Sequence, residues 1–163
     1  MTDIVTPAIR SKMMAGIRSK DTKPELVIRK GLFRRGFRYR LHDKKLPGTP
    51  DMVLPRFRAV VFVHGCFWHG HRCALFRLPA TRTGFWKDKI TRNQNNDKKA
   101  LVGLHAAGWR VATIWECALK GPGKLNISEI LDTLENWLAS SDTDMEIRGN
   151  VVSNRQKPLK HIW

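Results

Sequence analysis

Residues 59–73, AVVFVHGCFWHGHRC, join an uninterrupted apolar run to a loop of histidines, cysteines and two adjacent aromatic side chains. The run AVVFVH predicts a strand in the middle of a sheet, because strands that are buried on both faces read as continuous apolar segments. The loop that follows is compatible with a metal site, a catalytic cluster or an adhesive aromatic surface. The rest of the chain has to decide among these three uses.

The segments around this run predict one α/β domain. Capping residues, glycine stops and the period of the apolar side chains delimit the elements. In chain order these are a short helix around Met14, a helix over about 23–35, strands over 37–41, 51–54 and 59–64, a helix over about 83–107, a strand over 110–116 and a helix from Asn126. Strands separated by a long helix indicate a mixed sheet with helices packed on its faces.

Composition limits the class of function. The 163 residues fit one domain, which we expect over 1–140, followed by a basic, weakly ordered tail over 141–163. Lys and Arg number 30 against 14 Asp and Glu, and this net charge of +16 predicts a polyanionic partner. The longest apolar run is too short to span a bilayer, and no signal-peptide pattern occurs, so we expect a cytoplasmic protein without a membrane partner. Three cysteines favour metal binding over disulfides.

The loop itself offers soft metal ligands. Cys66, His71 and Cys73 form a C-x4-H-x-C pattern, and Cys117 follows the strand over 110–116. If that strand pairs beside 59–64, Cys117 reaches the loop and completes a Cys3His set, which is typical of a closed, structural zinc site. The alternative is three reduced core cysteines and an exposed histidine.

His64 and His69 then remain as candidates for acid–base chemistry, and Asp51, one strand earlier, offers a hard oxygen ligand for Mg²⁺. Each also has a structural interpretation, as a hydrogen-bonded histidine or as a turn residue after proline. Taken singly, Glu25 and Asp97 read as acids on helix surfaces.

Aromatic pairs on a rigid loop of a cationic protein can insert between base pairs, and Trp68 is the strongest candidate for that role. The alternative is core packing, which we expect for Phe85.

The combined motifs LPGTPDMVL, HGCFWHGHRC, LPATRTGFW and GWRVATIWECAL resemble the very-short-patch-repair (Vsr) mismatch endonucleases of bacteria, over roughly residues 8–140. The resemblance implies a restriction-endonuclease-like α/β/α core with a mixed central sheet. It also implies an Mg²⁺-dependent enzyme that nicks double-stranded DNA 5′ of the thymine in a T:G mismatch left by deamination of 5-methylcytosine. Such an enzyme works at the bacterial nucleoid, is linked to a cytosine-5 DNA methyltransferase and collaborates with other mismatch-repair proteins.

The resemblance further implies roles for matching residues. The catalytic set is Asp51, His64, His69, Asp97 and Glu25, with Asp51 and the main-chain carbonyl of Val63 on Mg²⁺, Asp97 orienting His69, and Glu25 ordering water. The structural zinc set is Cys66, His71, Cys73 and Cys117. The DNA-intercalating set is Phe67, Trp68 and Trp86, opposed by Met14 on an N-terminal arm over about 1–20. Phe62-Val63-His64 stands where the wider nuclease superfamily has an acidic residue and a lysine.

Two other functions remain open at this point. A non-catalytic, zinc-stabilised nucleic-acid-binding module accounts equally well for the charge, the zinc set and the aromatic residues. It leaves Asp51, His64 and His69 without a shared purpose. A restriction-type nuclease that acts on matched DNA keeps the chemistry but not the mismatch.

Overall fold

A computed structural model of the chain describes Ala8 and residues 20–151. At its centre lies a five-stranded mixed sheet with the spatial order β1-β2-β3-β4-β5. The strands are β1 (Arg40–Leu41), β2 (Met52–Leu54), β3 (Ala59–His64), β4 (Arg110–Trp115) and β5 (Asp144–Ile147). The first three strands pair antiparallel, whereas β3–β4 and β4–β5 pair parallel. This confirms the predicted mixed sheet, with the apolar run of β3 in the middle.

Over residues 20–151, three α-helices cover the two faces of the sheet: α1 (Lys23–Arg34), α2 (Thr83–Ala106) and α3 (Ile127–Ala139). Thr22 caps α1 by accepting a hydrogen bond from Glu25 N, as predicted. Asn126 caps α3, but its side chain accepts from Ser128 N rather than from Glu129 N. The short helix predicted around Met14 lies outside the described residues, as does the rest of the N-terminal arm apart from Ala8 and Lys20.

Two apolar clusters separate the layers. The larger cluster places Ile28 and Leu32 of α1 and Leu134 of α3 against Val61 and Ile114 of the sheet. The smaller cluster lies on the opposite face, where Leu104 of α2 packs with Val60, Phe62 and Val111. Alternate residues of β3 thus contact different helix layers, which explains why its sequence is apolar throughout.

The sequence prediction was wrong about residues just beyond 140. Asp144–Ile147 is not part of a weakly ordered tail but forms β5, which pairs with β4 over Val111 to Ile114. The strand lies at the edge of the sheet and buries only Ile147, so it carries no strong apolar pattern. The predicted strand over 37–41 is also shorter than expected: Phe37 and Tyr39 pack against the core, but only Arg40 and Leu41 pair with β2.

The parallel pairing of β3 and β4 decides where the loop of residues 66–73 lies. His64 and Trp115 are register partners at the carboxyl ends of these strands. Cys117 follows directly in a short 3-10 helix (Glu116–Ala118) and therefore reaches the loop, as predicted. Within the part of the chain that the structure describes, no helix is long and apolar enough to cross a membrane.

Candidate active site and metal centre

Two histidines and one carboxylate form a compact group where β3 ends. The imidazole rings of His64 and His69 stack with centroids 3.8 Å apart. His69 Nδ1 donates a hydrogen bond of 2.6 Å to Asp97 Oδ2, on α2. A carboxylate at Nδ1 fixes the tautomer and the ring orientation of His69 and leaves its Nε2 to exchange a proton with another group. The pair that the resemblance implied is therefore formed.

His64 differs from His69 in its surroundings. The pKa of His64 is lowered to about 3, mainly by burial against the sheet. The neighbouring His69 also lowers the pKa, and this effect is larger than the opposing effect of Asp97. His64 is consequently neutral at physiological pH. A neutral imidazole keeps one donor and one acceptor nitrogen, so His64 can hold a water molecule or a phosphate oxygen without adding charge.

Asp51 lies next to the end of β3, immediately before β2. Its Oδ2 accepts a hydrogen bond of 2.7 Å from Val63 N, which joins the two residues that the resemblance assigned to the metal. Burial raises the pKa of Asp51 to about 6; the hydrogen bond from Val63 opposes this rise and the charge of Glu25 adds to it. A carboxylate that is this costly to ionise gains stability from a bound cation.

Glu25 was interpreted from its sequence position as a surface acid, and that interpretation is wrong. Its side chain is buried, with 1% of the residue exposed. Its carboxylate accepts hydrogen bonds from His42 Nε2, Arg29 Nη1 and Asp21 N. The carboxylate of Glu25 therefore lies inside the molecule, with a protein donor on each of its oxygens.

Three cysteines and one histidine form a separate centre. The ligand atoms of Cys66, His71, Cys73 and Cys117 all lie within 4.8 Å of one another. His71 Nδ1 is 3.6 Å from the sulfur atoms of both Cys66 and Cys117. Burial raises the pKa of the Cys66 and Cys117 thiols, so thiolates here need a positive partner.

Backbone N–H groups around the sulfur atoms of this centre also suit a metal. Cys117 N donates to Cys66 Sγ at 3.3 Å, and Gly149 N donates to Cys117 Sγ at 3.2 Å. Backbone donors of this kind stabilise metal-bound thiolates. Trp115 stacks on His71 with centroids 4.1 Å apart and planes 8° apart, and its ring also lies 5.4 Å from His64. The donor set and spacing could bind zinc, and one indole connects this centre to the active-site histidines.

The aromatic residues gather beside the same loop. Phe67 makes edge contacts with Trp68 at 5.1 Å and with Trp86 at 5.4 Å. All three are partly exposed, and the ammonium of Lys89 lies 5.2 Å from the Trp68 ring. Core packing was predicted for Phe85, and that prediction is wrong: 45% of the residue is exposed, and Arg82 stacks on its ring. Met14 lies outside the described residues.

The side chains of α2 hold the loop in place. Asn93 Nδ2 donates to Trp68 O at 2.9 Å, and Gln94 Nε2 donates to His69 O at 3.2 Å. Gly70 has a φ of +61°, and a Cβ there would lie 2.7 Å from Ile90, so only glycine lets the loop approach the helix so closely. Asn93 and Asp97, one turn apart among the apolar residues of this helix, are the sequence signal that could have found this contact.

The structure therefore brings most of the sequence-predicted residues together. His64, His69 and Asp97 form one group, Asp51 and Val63 a hydrogen-bonded pair, and the four zinc candidates another group. Sequence reasoning missed Asn93, Gln94, His42 and Trp115. The last two gave no pattern signal, because each acts through a contact distant in sequence.

Comparison with known proteins identifies the family to which the chain is similar. A family model described as DNA mismatch endonuclease Vsr matches residues 2–75. The chain is 42% identical to the DNA mismatch endonuclease Vsr of Escherichia coli (strain K12) over 147 residues, which covers 90% of this chain and 94% of the relative. It is 48% identical to the type II nicking enzyme V.XorIIP of Xanthomonas oryzae pv. oryzae over 134 residues, 81% of this chain and 98% of that enzyme. A type II nicking enzyme of Neisseria meningitidis serogroup A, V.NmeAIP, is 50% identical over 120 residues, 74% of this chain and 86% of the relative.

Proposed function

The chain belongs to the Vsr family of DNA mismatch endonucleases, and we propose that it nicks double-stranded DNA 5′ of the thymine in a T:G mismatch. Family membership makes it a nuclease. The mismatch, the metal and the residue roles below are parts of the proposal. Because the chain belongs to a nuclease family, the first alternative function, a non-catalytic binding module, is excluded.

The observation that carries the proposal is the position of the hydrogen-bonded His69–Asp97 pair. It lies against His64, at the end of the strand that also donates to Asp51. Phosphodiester hydrolysis needs an activated water molecule, protonation of the leaving oxygen and stabilisation of charge on the phosphate. Groups suited to these tasks converge at one edge of the sheet.

Asp51 and the main-chain carbonyl of Val63 would hold Mg²⁺, which when bound stabilises charge on the scissile phosphate. The surroundings of Asp51 suit Mg²⁺, which does not need a site made entirely of protein ligands. Among the described residues, the groups of three or more ligands do not include Asp51. Mg²⁺ commonly takes one or two carboxylates and completes its shell with water and substrate phosphate, so a single buried carboxylate is sufficient.

His69 would transfer the proton. With Nδ1 committed to Asp97, its Nε2 accepts a proton from the attacking water or gives one to the leaving oxygen. His64, neutral because it is buried, would position that water or a phosphate oxygen. Glu25, behind Asp51, would order water near the metal.

Phe67, Trp68 and Trp86 would provide the aromatic wedge on the DNA. A T:G wobble pair is weaker and more deformable than its neighbours, so inserting rings beside it costs less than at a matched pair. The contacts of Asn93 and Gln94 with the loop backbone support this role, because a wedge must not yield when it meets the base stack. We further propose that Met14 inserts from the opposite groove and that the +16 charge supplies the general affinity for DNA.

The Cys66, His71, Cys73 and Cys117 centre would bind zinc as a structural ion. Four protein ligands leave no open position for water, which argues against a catalytic role for this metal. The zinc would instead fix the loop, because two of its ligands flank the segment that carries Phe67, Trp68 and His69. A loop fixed at both ends keeps a wedge and a catalytic histidine in constant positions.

The proposal is tested with a panel of T:G duplexes in varied sequence contexts, each with its matched T:A control, with and without Mg²⁺. We expect the wild-type protein to nick the T:G strand only, and only with Mg²⁺. Asp51→Ala should abolish nicking and retain binding, whereas Asp142→Ala, an exposed carboxylate at the opposite end of the sheet, should behave as wild type.

Equal nicking by the wild-type and Asp51→Ala proteins would refute the active-site assignment. Equal cleavage of matched and mismatched duplexes would instead favour the restriction-type alternative. A cytoplasmic location at the bacterial nucleoid, a functional link to a cytosine-5 DNA methyltransferase and collaboration with other mismatch-repair proteins belong to the same proposal.

A further inference from the structure

Glu25 is the only charged side chain among the described residues that is buried. A buried carboxylate is unfavourable unless hydrogen bonds and opposite charge compensate for lost water. Both of its oxygens are engaged here. Oε1 accepts from His42 Nε2 and from Arg29 Nη1 at 3.3 Å, and Oε2 accepts from Asp21 N at 2.9 Å. The carboxylate therefore has one defined orientation.

His42 connects this carboxylate to the active site. Its side chain donates to Glu25, while its own backbone N–H donates to Asp51 O at 3.3 Å. One residue thus contacts the carboxylate of Glu25 and the main chain of Asp51, the two residues that the proposed mechanism places near the metal. It follows β1 directly, at the position where the chain leaves the sheet.

The backbone of His42 is held in an unfavourable conformation. Its φ is +47°, in the left-handed region, which is unfavourable for an L-residue with a side chain. Such conformations persist where the surrounding contacts over-determine them, and they are frequent at functional sites. Here the conformation turns the imidazole toward Glu25 while the main chain remains paired with Asp51.

A second cation site is the obvious alternative for this cluster, since ligand atoms of Asp21, Glu25 and His42 lie within 4.8 Å of one another. The guanidinium of Arg29 argues against it. Its Nη1 lies 2.7 Å from Asp21 Oδ1 and 3.3 Å from Glu25 Oε1, so a positive charge already neutralises both carboxylates. The cluster is therefore suited to fixing Glu25 rather than to binding an ion.

We propose that His42 is a positioning residue for the nicking reaction, which holds the buried Glu25 carboxylate in a fixed orientation behind Asp51 through its Nε2. This rests on the proposed function, because it assigns Glu25 to the reaction. His42 itself touches neither the DNA nor the reacting atoms in this scheme. Its effect reaches the chemistry only through Glu25 and the backbone of Asp51.

Three substitutions separate this role from a structural one. Gln carries an amide nitrogen at about the reach of the imidazole Nε2, whereas Asn carries it nearer the backbone and Ala lacks it. Asn, however, adopts the left-handed backbone conformation more readily than Gln. A purely conformational role for residue 42 therefore favours His42→Asn, and a positioning role favours His42→Gln.

The experiment measures kcat and KM for a T:G duplex, the Kd for the same duplex without Mg²⁺, and the Tm of each variant. We expect His42→Ala and His42→Asn to lower kcat about 10- to 100-fold, as for other residues that orient an active-site group, with Kd within twofold of wild type. His42→Gln should recover most of the loss. A His42→Ala protein with wild-type kcat, or a His42→Asn protein more active than His42→Gln, would overturn the proposal.

A second readout does not depend on activity. In DNA-free protein labelled with ¹⁵N-histidine, the His42 Nε2 resonance should carry the signature of a donor to a carboxylate and should shift in Glu25→Gln. An unshifted resonance would remove the contact on which the proposal rests. If wild-type protein fails to nick the T:G duplex while this signature is present, the proposed function fails and the His42–Glu25 contact stands.

Discussion

Replacing Asp51 by Asn should abolish nicking and at the same time stabilise the fold. Burial raises the pKa of Asp51 from its ordinary value of 3.8 to about 6. For a raised pKa, the protonated group favours the folded state below pH 3.8, and this contribution is lost as the pH rises through about 6. Above that pH the ionised carboxylate is a cost to folding, which the proposed role of Asp51 as a metal ligand would explain.

The size of the effect follows from the same values. A rise from 3.8 to about 6 corresponds to about 3 kcal/mol in the free energy of unfolding at pH 8, and to about half of that at pH 5. Asn is uncharged at every pH and can still accept the hydrogen bond from Val63 N. Asp51→Asn should therefore be more stable than wild type by up to this amount at pH 8, with the difference narrowing as the pH falls.

The assay is urea unfolding followed by tryptophan fluorescence at pH 5, 6, 7 and 8, in buffer without Mg²⁺ and without chelator, so that the Cys3His centre is undisturbed. Asp142→Asn, which replaces an exposed carboxylate, is the matched control and should give a small difference that does not change with pH. Mg²⁺ should stabilise wild type but not Asp51→Asn. An Asp51→Asn protein that is less stable than wild type at pH 8, or a stability difference independent of pH, would refute the reasoning.

Three further predictions concern the loop and the edge strand. Asp97→Asn should lower kcat by about 100-fold or more with little change in KM, because in the proposed mechanism the carboxylate orients His69 for proton transfer. An unchanged kcat in single-turnover nicking would contradict that role of His69. If the Cys3His centre holds zinc as proposed, zinc-free protein, verified by elemental analysis, should have a lower Tm and bind the T:G duplex more weakly in fluorescence anisotropy, because Phe67 and Trp68 lie between two of the candidate ligands. Intact binding would show that the aromatic wedge does not depend on the metal. Truncation after residue 140 should lower the Tm and the zinc content, because it removes β5 and the Gly149 N–H that donates to Cys117 Sγ. A truncated protein with wild-type Tm would show that β5 is dispensable.

Local patterns were sufficient for the helices and the inner strands. The capping residues Thr22 and Asn126 begin α1 and α3 because a side-chain oxygen within a few residues satisfies free N–H groups at the helix start. The continuous apolar run of β3 indicated a strand covered on both faces, and the two apolar clusters on either side of it confirm this. Such features depend on residues that are close in sequence, so they can be predicted from the sequence alone.

The edge strand β5 and the burial of Glu25 could not be predicted from local sequence patterns. β5 buries one side chain and is held by pairing with β4, about 30 residues earlier, so its own sequence has little to reveal. Glu25 follows a helix cap, as many surface acids do. It is buried because His42, Arg29 and Asp21 surround it, and His42 arrives from beyond the end of β1.

The sequence by itself determined the chemistry that is available: a cationic α/β chain with a Cys3His set, two further histidines and paired aromatic residues around one apolar strand. The tertiary structure decided which of these groups meet. Parallel pairing of β3 with β4 places Cys117 beside the loop, and α2 crossing the sheet places Asp97 on His69. The reason is physical, because hydrogen-bond and metal geometries act over about 3–5 Å, and only the folded chain brings residues distant in sequence within that range.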